Sequence, residues 1–493
     1  MSAYEQYTQL RSKIAAYQLA LATLHWDGAT IAPKAGASYR AQKMGVLSGE
    51  MFSIMTDPSA IQILKDALEE SLNDVQRKEI KQSLKNVLDI VNVPKETYIE
   101  FVTLQSEAEH IWEVAKSKND YQMFKPYLSK LIEMTKIIVS FRDSKLDPYE
   151  QLLDDFEESM RSSDYDAFFN EVREKLVPFI QKVLNSEKPA PAFLSAYVSE
   201  DEQKKLIDYL APVFDYSLDT GAIAKSVHPF SSHFSAHDNR VTVRYLTNQM
   251  TSSVFAFIHE VGHATYNGQV NPEFEGLTIA QSMTYGLHES QSRLFENLVG
   301  KSYAFWKPHY ENVQNIVSVL KDVTIDEFIF GINYVEQSFI RVEADELTYP
   351  LHIMLRYELE KALFDGTLSV DDLPRVWNEK FKAYLNLDVL SDDHGVLQDV
   401  HWSGAAFGYF PTYALGSAYG AMFFEAMGHD LDVEAMLLNN DFKSIKAWLK
   451  ENIHQYGGLY NGKELIEKVC KKPFSAHAYV EGLITKYSKL YQL

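Results

Sequence analysis

Apolar residues recur at intervals of three and four positions over most of the chain, with charged residues between them. Near the N-terminus the spacing is carried by Ile14, Tyr17 and Leu21, and it predicts amphipathic helices through residues 1–145. Pro33 predicts a break between the first two of these helices. The same spacing predicts helices over residues 200–222 and over most of residues 310–390.

Residues 240–246 follow a different pattern, because polar and apolar residues alternate there. Strand side chains point alternately to two faces, so Val241, Val243 and Tyr245 are predicted to share a buried face. The prolines of segment 186–193 predict a loop. The sequence shows no internal repeat, low-complexity tract or interdomain linker. We therefore predict a mainly α protein, in which residues 1–493 form one large helical unit with a small β-sheet.

Residues 402–424 contain no charged side chain, and a segment of this length could span a bilayer. However, Pro411, four glycines and three tyrosines interrupt the apolar residues, and no basic flank orients the segment. We predict a buried wall of a large soluble protein and no membrane contact.

The chain has 493 residues, of which 46% are hydrophobic and 23% charged, an ordinary composition for a folded protein. Its formal net charge of −21 repels polyanions, so we predict no nucleic-acid partner. Acidic runs such as residues 154–158 are predicted to be solvated helix faces. Cys470 is the single cysteine, and the first residues do not have the pattern of a signal peptide. Both features predict a cytoplasmic location.

The most informative motif is His259-Glu260-Val261-Gly262-His263, which lies in an apolar and therefore buried helical segment. Two histidines four positions apart share one helix face, so both imidazoles can bind one Zn²⁺ ion at ~2.1 Å. Glu260 is then placed to act as the catalytic carboxylate on a metal-bound water. The alternative, a pair of hydrogen-bonded core histidines, does not account for the glutamate between them.

A catalytic zinc ion needs a third protein ligand and an open position. The pattern HExxHxxGxxH is absent, because Tyr266 and Gln269 occupy the corresponding positions. The third ligand must therefore lie further along the chain. Two candidates follow a proline in a predicted loop and two lie on a predicted helix over residues 284–299; in order they are Glu273, Glu275, Glu289 and Glu296. The helical pair could also form an exposed, salt-bridged face with Arg293, and the spacing leaves the choice open.

The chain resembles the carboxypeptidase Taq family of metallocarboxypeptidases. Six motifs of that family occur in order: His228-Pro-Phe230, Asp238-Asn-Arg240-Val-Thr242, the HEVGH segment at 259–263, His288-Glu-Ser-Gln291, Ile340-Arg-Val-Glu-Ala-Asp345, and Gly395-Val-Leu-Gln-Asp-Val-His-Trp402. A further segment, Leu24-His-Trp-Asp27, is similar as well. HExxH alone occurs in many metallopeptidases, whereas the ordered set is specific and extends over nearly the whole chain.

The resemblance implies Glu289 as the third ligand and Glu260 as the catalytic carboxylate. It also implies release of single C-terminal amino acids from peptides with broad specificity, a mostly helical fold with a deep groove, and a homodimer. Zn²⁺ is the implied metal, with Co²⁺ as a functional substitute.

Hydrolysis of a peptide also requires donors for the developing oxyanion. Tyr409, Tyr413 and His401 are candidates, with buried aromatic packing as the alternative for each. A carboxypeptidase must in addition bind the terminal carboxylate, for which the planar fork of arginine is suited. Arg341 is our first candidate and Arg240 the second.

The alternative for Arg341 is an ion pair with Asp345, four positions along one helix. The resemblance associates His228-Pro-Phe230 and the Arg240 strand with closing one end of the groove. Gln398, Asp399 and His401 are candidates for orienting the ligands.

Two other functions remain possible from the sequence. An oligoendopeptidase or peptidyl-dipeptidase could share HExxH and a distant glutamate, and would release fragments or dipeptides rather than single amino acids. A catalytically inactive peptide-binding protein is the second, although the intact Glu260 argues against it.

Overall fold

The computed structural model describes residues 1–186, 188–280 and 284–493, and these residues are mainly helical. The N-terminal half contains α1 Ala3–Thr30, α2 Ala37–Thr56, α3 Pro58–Leu68, α4 Asp74–Val91, α5 Lys95–Lys118, α6 Tyr121–Ser140, α7 Pro148–Phe156, α8 Ser162–Leu184 and α9 Glu200–Val213. The helices that follow are α10 Met250–Gly268, α11 Tyr285–Arg293, α12 Tyr303–Trp306, α13 Tyr310–Ile316, α14 Ile325–Ile332, α15 Tyr349–Asp365 and α16 Leu373–Leu385. The last are α17 Pro411–Asp430, α18 Val433–Leu438, α19 Phe442–Asn452, α20 Gly462–Cys470 and α21 His477–Tyr491.

Helix boundaries agree with the capping residues. Ser2 and Glu5 form a capping box at the start of α1, and α1 ends before Pro33, as predicted. The helix predicted over residues 284–299 is only partly α-helical, because α11 ends at Arg293 and continues as one π-helical turn, Leu294–Val299. The helix predicted over 200–222 ends at Val213. The predicted loop 186–193 contains Glu187, which lies outside the described residues.

Three short strands form the sheet: β1 Ile223–Lys225, β2 Ser231–Ser235 and β3 Asp238–Val243. The strand β3 lies in the middle, parallel to β1 and antiparallel to β2, and Val241 pairs with Ile223 and Ser231. Val241 and Val243 are buried as predicted, but β3 begins and ends earlier than the alternation suggested, so Tyr245 lies outside it. Strands β2 and β3 pack against α10.

One main hydrophobic core runs from Leu104 to Tyr491, and the uncharged segment 402–424 belongs to it. The second half of this segment lies in α17, which packs against α11. Among the helices of the described residues, none is long and apolar enough to cross a bilayer. The predicted mainly α architecture with a small sheet is therefore confirmed.

The N-terminal helices have a small core of their own around Tyr7, Leu64 and Ile80. They contact the body partly through Trp26, whose ring packs edge to face with Phe230, the residue before β2. A cleft of about 1000 Å³ lies between α4, the end of α7, strand β2 and helices α10, α11 and α17.

Candidate metal centre and cleft

His259, Glu260 and His263 lie on α10, whose apolar residues are buried on nearly all sides. The two histidines are one turn apart and face the same way, as predicted. Gly262, between them, lets α11 approach closely, because a Cβ at this position would lie 2.7 Å from Ser292 Cα. The histidines and the segment that follows Glu289 are thereby brought together.

Glu289 on α11 completes a group of three ligand atoms. Its Oε2 lies 3.7 Å from His259 Nε2 and 3.5 Å from His263 Nε2, and the three groups are the one cluster of this kind found among the described residues. Tetrahedral zinc bonds of about 2.0–2.2 Å would separate two ligand atoms by roughly 3.3–3.6 Å. Two imidazole nitrogens and a carboxylate also form a common catalytic zinc site, so the residues fit the metal.

The other three glutamate candidates are not ligands in this geometry. Glu273 and Glu275 are exposed and lie outside the cluster. Glu296 instead accepts a hydrogen bond from His259 Nδ1–H at 2.9 Å. Such a carboxylate fixes the imidazole so that Nε2 is free for the metal.

Arg293 connects the two carboxylates. Its Nε donates to Glu289 Oε1 at 2.8 Å, and a terminal nitrogen donates to Glu296 Oε2 at 3.2 Å. Burial raises the pKa of Glu296, but Arg293 and His259 outweigh this effect and lower the pKa to about 2. At Glu289, Arg293 and His259 likewise outweigh the effect of burial and hold the pKa of this carboxyl well below its usual range. Both side chains are therefore anionic at neutral pH.

His288 orients the second histidine of the cluster. The hydrogen-bond chain assigns the protons: His263 Nδ1–H donates to His288 Nδ1 at 2.6 Å, and His288 Nε2–H donates to Asn267 Oδ1 at 3.1 Å. Burial holds the pKa of His288 well below its usual value, so His288 accepts as a neutral ring. His263 Nε2 consequently faces Glu289.

Glu260 lies in the cleft wall beside these ligands and is 8% exposed. Burial raises its pKa, while His259 and His263 act in the opposite direction. A carboxylate with a raised pKa takes up a proton more readily, as a general base must.

Tyr409 and Tyr413 line the same cleft, and their rings meet edge to face at 5.1 Å. Burial raises the pKa of both hydroxyls, so both remain hydrogen-bond donors at neutral pH. His401 lies behind them, with Nε2 at 3.4 Å from the Tyr413 hydroxyl. Burial lowers its pKa to about 4, so its ring is neutral.

Arg341 is buried beneath Tyr413, with its guanidinium 5.0 Å from the centre of that ring. Its Nε donates to Asp399 Oδ1 at 2.9 Å. The same aspartate binds the fully buried Arg356, which the sequence did not indicate. The two arginines carry two positive charges, and Asp399 neutralises one of them. The alternative of an Arg341–Asp345 ion pair within one helix is wrong. Arg341 begins a short 3-10 turn, and Asp345 instead accepts a hydrogen bond from the Thr348 hydroxyl.

Arg240 and His228, like Arg341 and His401, are not among the described residues that line the cleft. Arg240 forms two hydrogen bonds with Asp238, at 2.8 and 2.6 Å, and its guanidinium lies 4.2 Å from the Phe234 ring centre. The centre of the Trp26 ring lies 5.7 Å from the same guanidinium. His228 is exposed.

Glu157 is a buried carboxyl that the sequence placed on a solvated face. It accepts a hydrogen bond from Gly286 N at 2.8 Å, at the start of α11, and another from the Tyr419 hydroxyl at 3.3 Å. Burial raises its pKa to about 8, although these hydrogen bonds oppose the shift. Glu157 thus caps the helix that carries Glu289, and its acidic neighbours masked this role in the sequence.

Comparison with known proteins identifies the family of the chain. The sequence model of the family described as "Carboxypeptidase Taq (M32) metallopeptidase" matches residues 6–487. Carboxypeptidase 1 of Bacillus subtilis is 38% identical, with 99% of each chain covered. Thermostable carboxypeptidase 1 of Thermus thermophilus is 34% identical, also with 99% of each covered.

Solved structures give the same result. The crystal structure of the M32 carboxypeptidase from Deinococcus radiodurans R1 has a TM-score of 0.96 and 30% identity, and each chain is covered completely. The structure of Pyrococcus furiosus carboxypeptidase has a TM-score of 0.95 and 31% identity over 99% of each chain. The fold, the motifs and the relatives agree over the full length: the chain belongs to the carboxypeptidase Taq family and is a metallocarboxypeptidase.

Proposed function

We propose that the protein is a zinc-dependent carboxypeptidase that releases single C-terminal amino acids from peptides with broad specificity. The observation that carries this proposal is the convergence of His259 Nε2, His263 Nε2 and Glu289 Oε2 beside Glu260 in the wall of the cleft. A divalent ion held there would polarise the scissile carbonyl and lower the pKa of a water molecule.

Glu260 takes the proton of the attacking water and passes it to the leaving amine. Its burial beside the ligands supports this role. The hydroxyls of Tyr409 and Tyr413 stay protonated and donate to the developing oxyanion. His401 holds Tyr413 from behind and remains neutral, so it adds no charge that would compete with the metal.

We assign the terminal carboxylate to the Tyr413 end of the cleft. Arg341 lies directly beneath that ring, and together with Arg356 it gives this end a buried positive charge. In a chain of net charge −21, such a localised charge attracts an anionic chain end. Arg240 is the weaker candidate, because Asp238 neutralises its charge, whereas Asp399 is shared by Arg341 and Arg356. We place His228 with Phe230 at the closed end of the groove.

Further parts of the proposal rest on the family resemblance. Zn²⁺ is the metal, with Co²⁺ able to replace it, and the donor set of two histidines and a glutamate supports this choice. The chain acts as one catalytic domain over residues 1–493 and forms a homodimer in the cytoplasm. The continuous core from Leu104 to Tyr491 and the free Cys470 support the single domain and the reducing compartment.

Digestion of one defined peptide, with and without a chelator and analysed by mass, tests the proposal. We expect stepwise loss of single C-terminal residues that the chelator abolishes. Internal fragments or dipeptides would favour an endopeptidase or peptidyl-dipeptidase. An intact peptide in the presence of bound metal would favour a peptide-binding protein without catalytic activity.

A further inference from the structure

Glu360, on α15, is a fully buried carboxyl that has no part in the chemistry described above. Among the described residues it accepts three hydrogen bonds. Its Oε1 accepts from Trp402 Nε1–H at 2.7 Å. Its Oε2 accepts from the Gly408 backbone N–H at 2.8 Å and from the Tyr149 hydroxyl at 3.0 Å. A buried carboxylate is costly without such donors, so the carboxylate and its donors hold one another in place.

Two of these donors lie at the two ends of one turn, residues 402–408. Trp402 follows His401 in the chain, and Gly408 precedes Tyr409. The rings of His401 and Tyr409 are stacked, with their centres 5.6 Å apart. A single carboxylate therefore joins the residue after the first ring to the residue before the second.

The 402–408 turn has an unfavourable backbone conformation. Ala405 and Gly408 have φ angles of +57° and +85°, in the left-handed region that alanine rarely adopts. Gly408 cannot be replaced by a larger residue, because a Cβ there would lie 2.8 Å from the backbone carbon of Leu152. Such a turn persists only where surrounding contacts fix it, and the two hydrogen bonds to Glu360 do so at both ends.

The Tyr409 ring is also held by other aromatic rings, but less precisely. It meets Phe156, Tyr285 and Tyr413 edge to face, at 5.1, 5.3 and 5.1 Å. Each of these contacts is weak and allows the rings to slide, whereas a hydrogen bond from Gly408 N–H to a carboxylate is directional. An oxyanion donor must lie within about 2.7–3.1 Å of the developing charge, so a small displacement of Tyr409 is costly.

We propose that Glu360 is a positioning residue: through Gly408 it places the Tyr409 hydroxyl where the oxyanion develops. Arg356 lies one turn earlier on α15 and binds Asp399, so one face of this helix holds both the turn and the segment before it. This inference rests on the proposed function, in which Tyr409 donates to the oxyanion.

A double-mutant cycle between Glu360 and Tyr409 tests the proposal. Glu360→Gln preserves size, but its amide nitrogen must face one of the three donors and release it. We expect kcat to fall at least about fivefold and KM to change less than about twofold, because the oxyanion contact is made only in the transition state.

Tyr409→Phe removes the hydroxyl and should itself lower kcat at least about tenfold. In that background, Glu360→Gln should lower kcat less than about twofold further, since no hydroxyl remains to be positioned. Burial raises the pKa of Glu360 to about 7, so the comparison is made at pH 8, where the carboxylate predominates.

Glu79 provides a matched control. It is fully buried as well and accepts hydrogen bonds from Thr278 N and Ile279 N, both at 3.0 Å, but it is not among the described residues that line the cleft. Glu79→Gln should change kcat by the same factor with and without the Tyr409 hydroxyl. Circular dichroism and metal content show that each variant has folded.

Tyr149→Phe takes the place of Glu360→Gln if that variant does not fold, because it removes only one of the hydrogen bonds that fix the carboxylate. It should lower kcat at least about twofold, and again only while the Tyr409 hydroxyl is present.

An equal loss of kcat from Glu360→Gln with and without the Tyr409 hydroxyl would overturn the positioning role. Unchanged kcat, a loss confined to KM, or the same coupling in Glu79→Gln would overturn it as well, and so would unchanged kcat in Tyr149→Phe where that variant is the one tested. If Tyr409→Phe releases single amino acids at the wild-type rate, this inference fails and the carboxypeptidase function stands. If the wild type releases no single amino acid, the proposed function itself fails.

Discussion

Glu289 and Glu296 provide the sharpest test of the metal centre, because they lie on one helical segment and are both half-buried but contact different atoms of His259. Glu289 Oε2 faces Nε2 at 3.7 Å, and Glu296 Oε2 accepts from Nδ1–H at 2.9 Å. The matched substitutions Glu289→Gln and Glu296→Gln each remove one negative charge and preserve size. The first removes a proposed ligand, whereas the second removes the partner that orients one.

The expected effects differ in size. Loss of an outer carboxylate that holds a metal-binding histidine typically costs 10–100-fold in metal affinity, or roughly 1.4–2.7 kcal/mol. Glu296→Gln should fall in this range, because the glutamine Oε1 can still accept from Nδ1–H and only the charge is lost. Glu289→Gln should exceed it, since a neutral amide oxygen replaces one of three protein ligands.

Competition with a chelator of known affinity, with bound metal measured by elemental analysis, gives both affinities. Circular dichroism of the metal-free variants shows whether each has folded. A larger loss of affinity in Glu296→Gln than in Glu289→Gln would refute the ligand assignment, because it would make Glu296 the ligand and Glu289 the outer carboxylate. Equal small losses would show that the third ligand lies elsewhere.

Three further predictions address separate parts of the molecule. Glu260→Gln should fold and bind metal but lose at least ~10²-fold in turnover, the scale of general-base catalysis; near-normal turnover would assign the proton transfer to another group. A C-terminally amidated peptide should be cut at least ~10-fold less efficiently than its free acid, since 1.4 kcal/mol is a tenfold factor. Arg341→Ala should remove most of this difference and Arg341→Lys should restore it in part, while loss of the difference only in Arg240→Ala would reverse our ranking of the two arginines. The pKa of Glu157, about 8 in the folded chain against 4.5 for an ordinary glutamate, means that the folded state holds the extra proton between these values. Its contribution to stability is therefore complete below about pH 4.5 and is lost as the pH rises through 8, by about 1.4 kcal/mol per unit. The melting temperature of the wild type relative to Glu157→Gln should fall from pH 5 to pH 8, and a constant difference would contradict the raised pKa.

The sequence was sufficient for the fold class and for two of the three ligands that we propose. Helical periodicity is strong where one face of a helix is buried, and HExxH places both histidines by helix geometry alone. The third ligand was not decided by spacing, because Glu289 and Glu296 lie on the same side of one segment. The choice depends on how close α11 comes to α10, which Gly262 permits, and on the π-helical turn that carries Glu296.

The features that could not be predicted all depend on contacts between distant segments. Asp399 pairs with Arg341 and Arg356, and neither separation in sequence has a local signal. Glu157 looks like its solvated neighbours until the N-terminus of α11 is placed against it. Arg293 had a local signal, since it stands four residues after Glu289 on the same helix, and the structure shows this pair to be buried rather than exposed.

The charges around the centre favour a bound cation. Glu260, Glu289 and Glu296 are buried together with one guanidinium, that of Arg293. With neutral histidines, two negative charges remain without compensation, and buried charge without a partner is costly. A divalent ion between His259, His263 and Glu289 would supply the missing positive charge.

Metal removal should therefore destabilise the protein as well as inactivate it. A ligand present at a thousand times its dissociation constant stabilises the folded state by about 4.1 kcal/mol, which corresponds to a shift of roughly 4 °C in melting temperature for a chain of 493 residues. The measurement is thermal unfolding of the holoenzyme, of the chelated enzyme and of the chelated enzyme after Zn²⁺ is restored. Because Glu260→Gln removes one of the uncompensated charges without removing a ligand, its metal-free form should melt at a higher temperature than the metal-free wild type. If both metal-free proteins melt at the same temperature, repulsion among these carboxylates does not contribute to the instability. If chelation leaves the wild-type melting temperature unchanged while metal is lost, the charge argument is wrong.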